Sequence, residues 1–164
     1  MRKHWDGADL IKMMISNEKA VASLYRRLAA DSKIGGKFLE HLALDEDRHH
    51  DMYSQLLKKL EGTPELTVEI SEEHEQYLKL LIERNMLKDT VHLMDEAKKI
   101  TNKDDLFDLA ERIERDSVLF VQELISLYPK LQPDEFKAVL REEKDHLRQV
   151  LNHRMESQLA TLRL

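Results

Sequence analysis

The chain has 164 residues, of which 35% are charged and 41% hydrophobic, with a formal net charge of −6, four Gly, three Pro and no Cys. That balance implies one domain spanning 1–164, built from a few long amphipathic elements, with no basic stripe to engage nucleic acid. Without Cys, disulfides, thiolate zinc sites and Cys-held iron are excluded within these residues.

Met1–Gly7 contains no apolar signal-like core, and no run approaches the length of a membrane span. The chain is therefore read as soluble and cytoplasmic, with no membrane partner. A first helix is expected at about 9–31. Its stripe is Ile11, Met14, Glu18, Val21, Tyr25 and Leu28, a 3-4 alternation with one glutamate in it. The short turn Asp31–Gly36 makes the second helix, about 36–60, its antiparallel neighbour. The second stripe reads Leu39, Leu42, Glu46, His49, Tyr53, Leu56 and Leu60.

Residues 61–103 form a long crossover after the stop at Gly62-Thr63-Pro64. It is expected to be helical, with Ser71 capping one helix and a second short helix around Leu87 to Ile100. Asn102 followed by Asp104 and Asp105 caps a third main helix at about 104–128, which Pro129 stops. Its stripe is Leu106, Ala110, Glu114, Val118 or Ser117, Val121 and Ile125. Pro133 opens the fourth, about 133–158, with the stripe Phe136, Val139, Leu140, Glu143, His146, Val150 and Leu151. The fold class is all-α: an antiparallel four-helix bundle with a long crossover between its second and third main helices.

Two of the four stripes carry Glu-x-x-His, as Glu46/His49 and Glu143/His146. Three residues advance a helix by about 4.5 Å and about 300°, so each pair projects from one face. The halves also repeat. Glu18 aligns with Glu114 at a shift of 96, and Glu46/His49 with Glu143/His146 at a shift of 97. Burying an unpaired carboxylate costs several kcal/mol or more, and metal coordination is one of the few arrangements that offsets it. Six groups thus point to one site: Glu18, Glu46, His49, Glu114, Glu143 and His146.

That constellation is the one found in ferritin-like di-iron and di-manganese carboxylate bundles. Four carboxylates neutralise two divalent cations, and oxygen-rich ligation with one imidazole each suits Fe(II) or Mn(II). Glu46 and Glu143 are expected to bridge two Fe ions (Mn being the alternative), His49 and His146 to bind one each, and Glu18 and Glu114 to be terminal. Such a pair can give one electron per metal to a peroxide or dioxygen bond. The bland reading is a plain bundle whose core Glu and His pair as buried salt bridges.

Weaker candidates surround these six. Glu111, one turn before Glu114, is either an extra carboxylate or a solvated one. Tyr25 either hydrogen-bonds a ligand carboxylate or is a core Tyr. Asp47/His50 and Asp89/His92 share the i,i+3 spacing but read as surface. His41, His74 and His153 support no functional argument.

The runs Asn17-Glu18 through Tyr25 and Ala29, Leu42 through Glu46 and His49, Glu114-Arg115-Asp116-Ser117-Val118 with Phe120, and Glu143-Lys144-Asp145-His146-Leu147 resemble the rubrerythrin branch of the ferritin-like superfamily. The resemblance covers the four main helices. It implies a non-haem di-iron protein that reduces hydrogen peroxide, usually as a homodimer or larger homo-oligomer. Two departures stand out. The four Cys of the usual rubredoxin domain are missing, so electrons are expected from a separate donor protein. Val121 occupies the position where the repeat of Tyr25 suggests Tyr.

Two further readings accompany this one. In one the chain is a ferroxidase or iron store that oxidises Fe(II) with dioxygen or peroxide. In the other it is a metal-stabilised, non-catalytic helical adaptor.

Overall fold

Four long helices carry the apolar stripes, and their pairing into two hairpins brings all four stripes onto one axis. The computed structural model describes residues 1–85 and 89–163. The first hairpin joins α1 (Ala8–Ala30) to α2 (Leu39–Leu60). The crossover contains α3 (Glu72–Arg84) and α4 (Thr90–Ala97). The second hairpin joins α5 (Lys103–Leu127) to α6 (Pro133–Leu162). No described helix is long and apolar enough to cross a membrane.

The α1 and α2 stripes are buried at every position, including Glu18, Glu46 and His49. On α5 the inward residue is Ser117 and not Val118. Val121 is buried as a plain apolar residue. Leu109, Ile113, Phe120 and Leu124 widen the buried α5 face beyond a strict a/d seam, as suits a helix packed against several neighbours.

Local chemistry sets the helix starts. The Asn102 side chain accepts from the Asp105 N–H at 2.9 Å, and that of Ser71 from the His74 N–H at 3.1 Å. Asp89 accepts from the His92 N–H at 2.6 Å, so the Asp89/His92 spacing serves an N-cap. The short helix expected from Leu87 therefore begins at Thr90, and Leu87 itself lies outside the described residues. Before α6, Gln132 takes a left-handed conformation with φ 38°, and Pro133 then opens the helix.

The crossover departs from the helical expectation. A 3-10 turn, Pro64–Leu66, leads into β2 (Thr67–Ser71), which pairs antiparallel with the N-terminal strand β1 (Arg2–Asp6). Trp5 lies opposite Val68 and Lys3 opposite Ile70. Ile70 is buried, and Trp5 and Val68 pack against the core. Two five-residue strands this far apart carry little local signal, because their alternation becomes stable only once the partner is present. The Leu66 carbonyl accepts from the Gly7 N–H at 3.0 Å and from the Tyr128 hydroxyl at 2.8 Å, which ties the sheet to the end of α5.

Gly36 sits in the turn of the first hairpin, pressed between α1 and α5. A Cβ there would stand 2.8 Å from the Leu28 carbonyl oxygen and 2.9 Å from Leu106 Cδ1. The first neighbour is backbone and cannot rotate away. Gly36→Ala is expected to lower stability by about 1–3 kcal/mol. In urea the midpoint should fall while the m-value is unchanged.

Candidate metal centre

Each main helix delivers to the bundle axis the acidic residue that interrupts its apolar stripe. Glu18 comes from α1, Glu46 and His49 from α2, Glu114 from α5, and Glu143 and His146 from α6. All six are buried, Glu18 being the most exposed at 7%. They form two quartets whose facing donor atoms lie within 4.8 Å of one another: Glu18, Glu46, His49 and Glu143, then Glu46, Glu114, Glu143 and His146. Glu46 and Glu143 belong to both. The shared pair is central, and each half keeps one further carboxylate and one imidazole.

The imidazoles turn Nδ1 inward. His49 Nδ1 lies 3.1 Å from Glu46 Oε2 and 3.1 Å from Glu143 Oε1. His146 Nδ1 lies 3.3 Å from Glu46 Oε1, 3.4 Å from Glu114 Oε2 and 3.4 Å from Glu143 Oε2. The two rings stand 6.0 Å apart, centroid to centroid.

Behind the rings the connections cross between motifs. His49 Nε2–H donates to Glu142 Oε2 at 2.6 Å, and His146 Nε2–H to Asp45 Oδ2 at 3.0 Å. Arg48 joins the two carboxylates, donating to Glu142 at 3.1 and 3.2 Å and pairing with Asp45. A carboxylate on Nε2–H orients the ring and raises the basicity of Nδ1.

The sequence reading missed Asp45, Glu142 and Arg48. A signal was present, since an acid precedes the Glu of each Glu-x-x-His at the same shift of 97.

The other sequence candidates separate cleanly. Tyr25 is fully buried, and its hydroxyl donates to Glu114 Oε1. Glu111 stands outside both quartets, its carboxylate held by Arg115 at 2.8 Å and Arg154 at 2.8 Å. Asp47 pairs with Arg26, and His50 with Asp51 at 3.1 Å. His74 reaches Glu123 at 2.6 Å, and His153 stacks on Phe38.

Protonation follows from burial. Burial and the charges of Glu46 and Glu143 push the Glu18 carboxyl well above its ordinary 4.5. Burial raises Glu114 to about 8, although the His146 contact opposes it. For His49, burial favours the neutral ring, but Glu143 and Glu46 outweigh it and raise the group to about 11. His146 is raised likewise by Glu114, Glu143 and Glu46. Glu46 moves down against its burial because both imidazoles hold it. Protons thus balance the buried charge.

They do not satisfy every atom. Glu46 Oε1, Glu114 Oε2, both Glu143 oxygens and His146 Nδ1 are buried without a hydrogen-bond partner. Each such acceptor costs about 1–3 kcal/mol when left unmade. Convergent orphan oxygens, with an Nδ1 in each quartet, form a donor set that fits two oxygen-preferring divalent cations.

Metal-free protein is expected to lose stability as pH rises. The protonated Glu114 contributes fully below about 4.5, and that contribution is lost as pH passes about 8. Cationic His49 contributes fully below about 6.5 and is lost towards about 11. Scanning calorimetry from about pH 5 to about pH 9 should show a falling Tm, reversed by a divalent cation that replaces the protons.

Comparison with protein-family models gives no match, and neither does comparison with curated proteins. Among solved structures, the chain is similar to a Thermotoga maritima protein provisionally described as a ferritin-like diiron-carboxylate protein. The TM-score is 0.64 at 22% identity, over 94% of this chain and 97% of that one. At that identity the likeness speaks to architecture, and this chain has the ferritin-like helical fold.

Proposed function

We propose that this chain holds two iron ions between its four main helices and reduces hydrogen peroxide, using electrons from a separate donor protein. Glu46 and Glu143 would be shared by the ions, His49 and Glu18 would hold one, and His146 and Glu114 the other. The observation that carries it is the pair of buried quartets sharing Glu46 and Glu143. Iron suits the site because carboxylates outnumber imidazoles two to one and no thiolate is present. The neighbouring fold, described as diiron-carboxylate, supports the same choice. Rubrerythrin-like runs around Glu18, Glu46, Glu114 and Glu143 favour peroxide as the oxidant.

When bound, two ferrous ions supply the two electrons that peroxide needs on its way to water. The protein's part is to place and shield. The exposure of these side chains, 7% or less, admits a small oxidant in preference to a bulky organic substrate. Tyr25 holds Glu114 in place from behind. Asp45 and Glu142 hold the imidazoles with Nδ1 inward. The 164 residues contain no Cys, so no thiolate-held iron within them delivers the electrons.

Metal analysis after anaerobic Fe(II) loading should give about two irons per chain, lost in Glu46→Ala and Glu143→Ala. Stopped-flow mixing should then show fast oxidation by peroxide and slow oxidation by dioxygen. Iron accumulating well beyond that stoichiometry with dioxygen as oxidant would favour the ferroxidase reading instead. Zero iron after loading would sink the metal centre altogether. Asp45→Ala and Glu142→Ala should keep the helical circular dichroism yet weaken Fe(II) affinity about 10–100-fold, because each frees an imidazole to turn.

A further inference from the structure

One buried polar group near the centre takes part in none of these contacts. Tyr53 lies one turn beyond His49 on the inward stripe of α2 and is 0% exposed. Its ring packs against Phe136, with centroids 6.4 Å apart. Its hydroxyl has no hydrogen-bond partner among the described residues. Tyr25 differs, since its hydroxyl is satisfied by Glu114.

Leaving a buried hydroxyl unpaired is destabilising, and Phe would fill the same space without that cost. The repeat confirms that the bundle does not need a hydroxyl here. At the shift of 97 the counterpart of Tyr53 is Val150, equally buried.

The surroundings of the hydroxyl indicate where its missing partner sits. After burial itself, the groups that hold the phenol in its protonated form are Glu18, Glu143 and Glu46. These are the three carboxylates of the quartet completed by His49. Together with its place one turn beyond His49 on the same buried face of α2, this sets Tyr53 beside the Glu18–His49 half of the centre. Being neutral among carboxylates, it offers a proton to a hydrogen bond and is poorly suited to bind a cation as phenolate.

On the di-iron reading above, we infer that Tyr53 donates a hydrogen bond to a small oxygen ligand (water, hydroxide or hydroperoxide) held on the Glu18–His49 side of the metal pair. Tyr53 is thus a binding residue for the oxidant, and it makes the two metal positions inequivalent.

The test compares wild type with Tyr53→Phe, using azide as the small anionic probe. Both proteins are loaded with Fe(II) anaerobically, oxidised, analysed for iron and titrated with azide by visible absorbance. Metal-free samples are melted in parallel. Iron should stay at about two per chain in both. The azide Kd should rise about tenfold or more in the variant, as befits loss of one hydrogen bond to a charged acceptor. The metal-free Tm should be unchanged or higher, since an unpaired hydroxyl has been removed.

Equal azide affinity with iron intact would overturn the proposal while leaving the metal centre standing. A lower metal-free Tm would overturn it too, because the hydroxyl would then have a partner within the protein. A phenolate-to-iron(III) band seen only in wild type would make Tyr53 a ligand, and the proposal would again fail. Iron absent from both proteins would overturn the di-iron reading itself, and this proposal with it.

Discussion

The bundle is organised around one electrostatic constraint: four carboxylates and two imidazoles share one buried volume. Isolated charges of this kind are among the most expensive groups to bury. The charge must be balanced within a few ångströms, by protons or by cations. That requirement explains why the donors come from four helices and not from one. A single helix offers only one inward position per turn, whereas four stripes meeting on an axis can place six donor side chains around a common volume. Buried apolar residues of the same helices, such as Leu39, Leu42, Ile113 and Phe120, separate that volume from the surface.

A second layer shows how the imidazoles are kept in register. Asp45 reaches from α2 to His146, and Glu142 from α6 to His49, so the acid preceding each central glutamate holds the opposite motif's ring. This reciprocity is a two-fold relation expressed in hydrogen bonds. It is broken in three places. Arg48, which joins Asp45 and Glu142, has Asp145 at its repeat position, while Tyr25 and Tyr53 have Val121 and Val150. Both tyrosines beside the centre therefore belong to the first hairpin.

Much of this was legible in the sequence for one reason: a polar residue inside a helical apolar stripe is conspicuous. Glu18, Glu46, His49, Glu114, Glu143 and His146 stand out against their stripes, and the shifts of 96 and 97 tie them together. Spacing alone was insufficient. Asp89/His92 has the same i,i+3 interval and turns out to cap α4. Glu111 sits one turn from Glu114, yet two arginines hold it outside the quartets. The strand pair was not legible, because β1 and β2 lie about sixty residues apart and neither makes sense without the other.

The sequence by itself determined the helices, their inward faces and the six residues that interrupt those faces, because helical periodicity is a local property written every three or four residues. The tertiary structure alone decided which carboxylates are shared between quartets, which acid holds which imidazole, and that the Tyr25 hydroxyl is satisfied while that of Tyr53 is not. Those outcomes depend on distances between atoms of different helices. Such distances are set by how the helices dock, at close approaches such as Gly36 against Leu106. No spacing along a single chain encodes them.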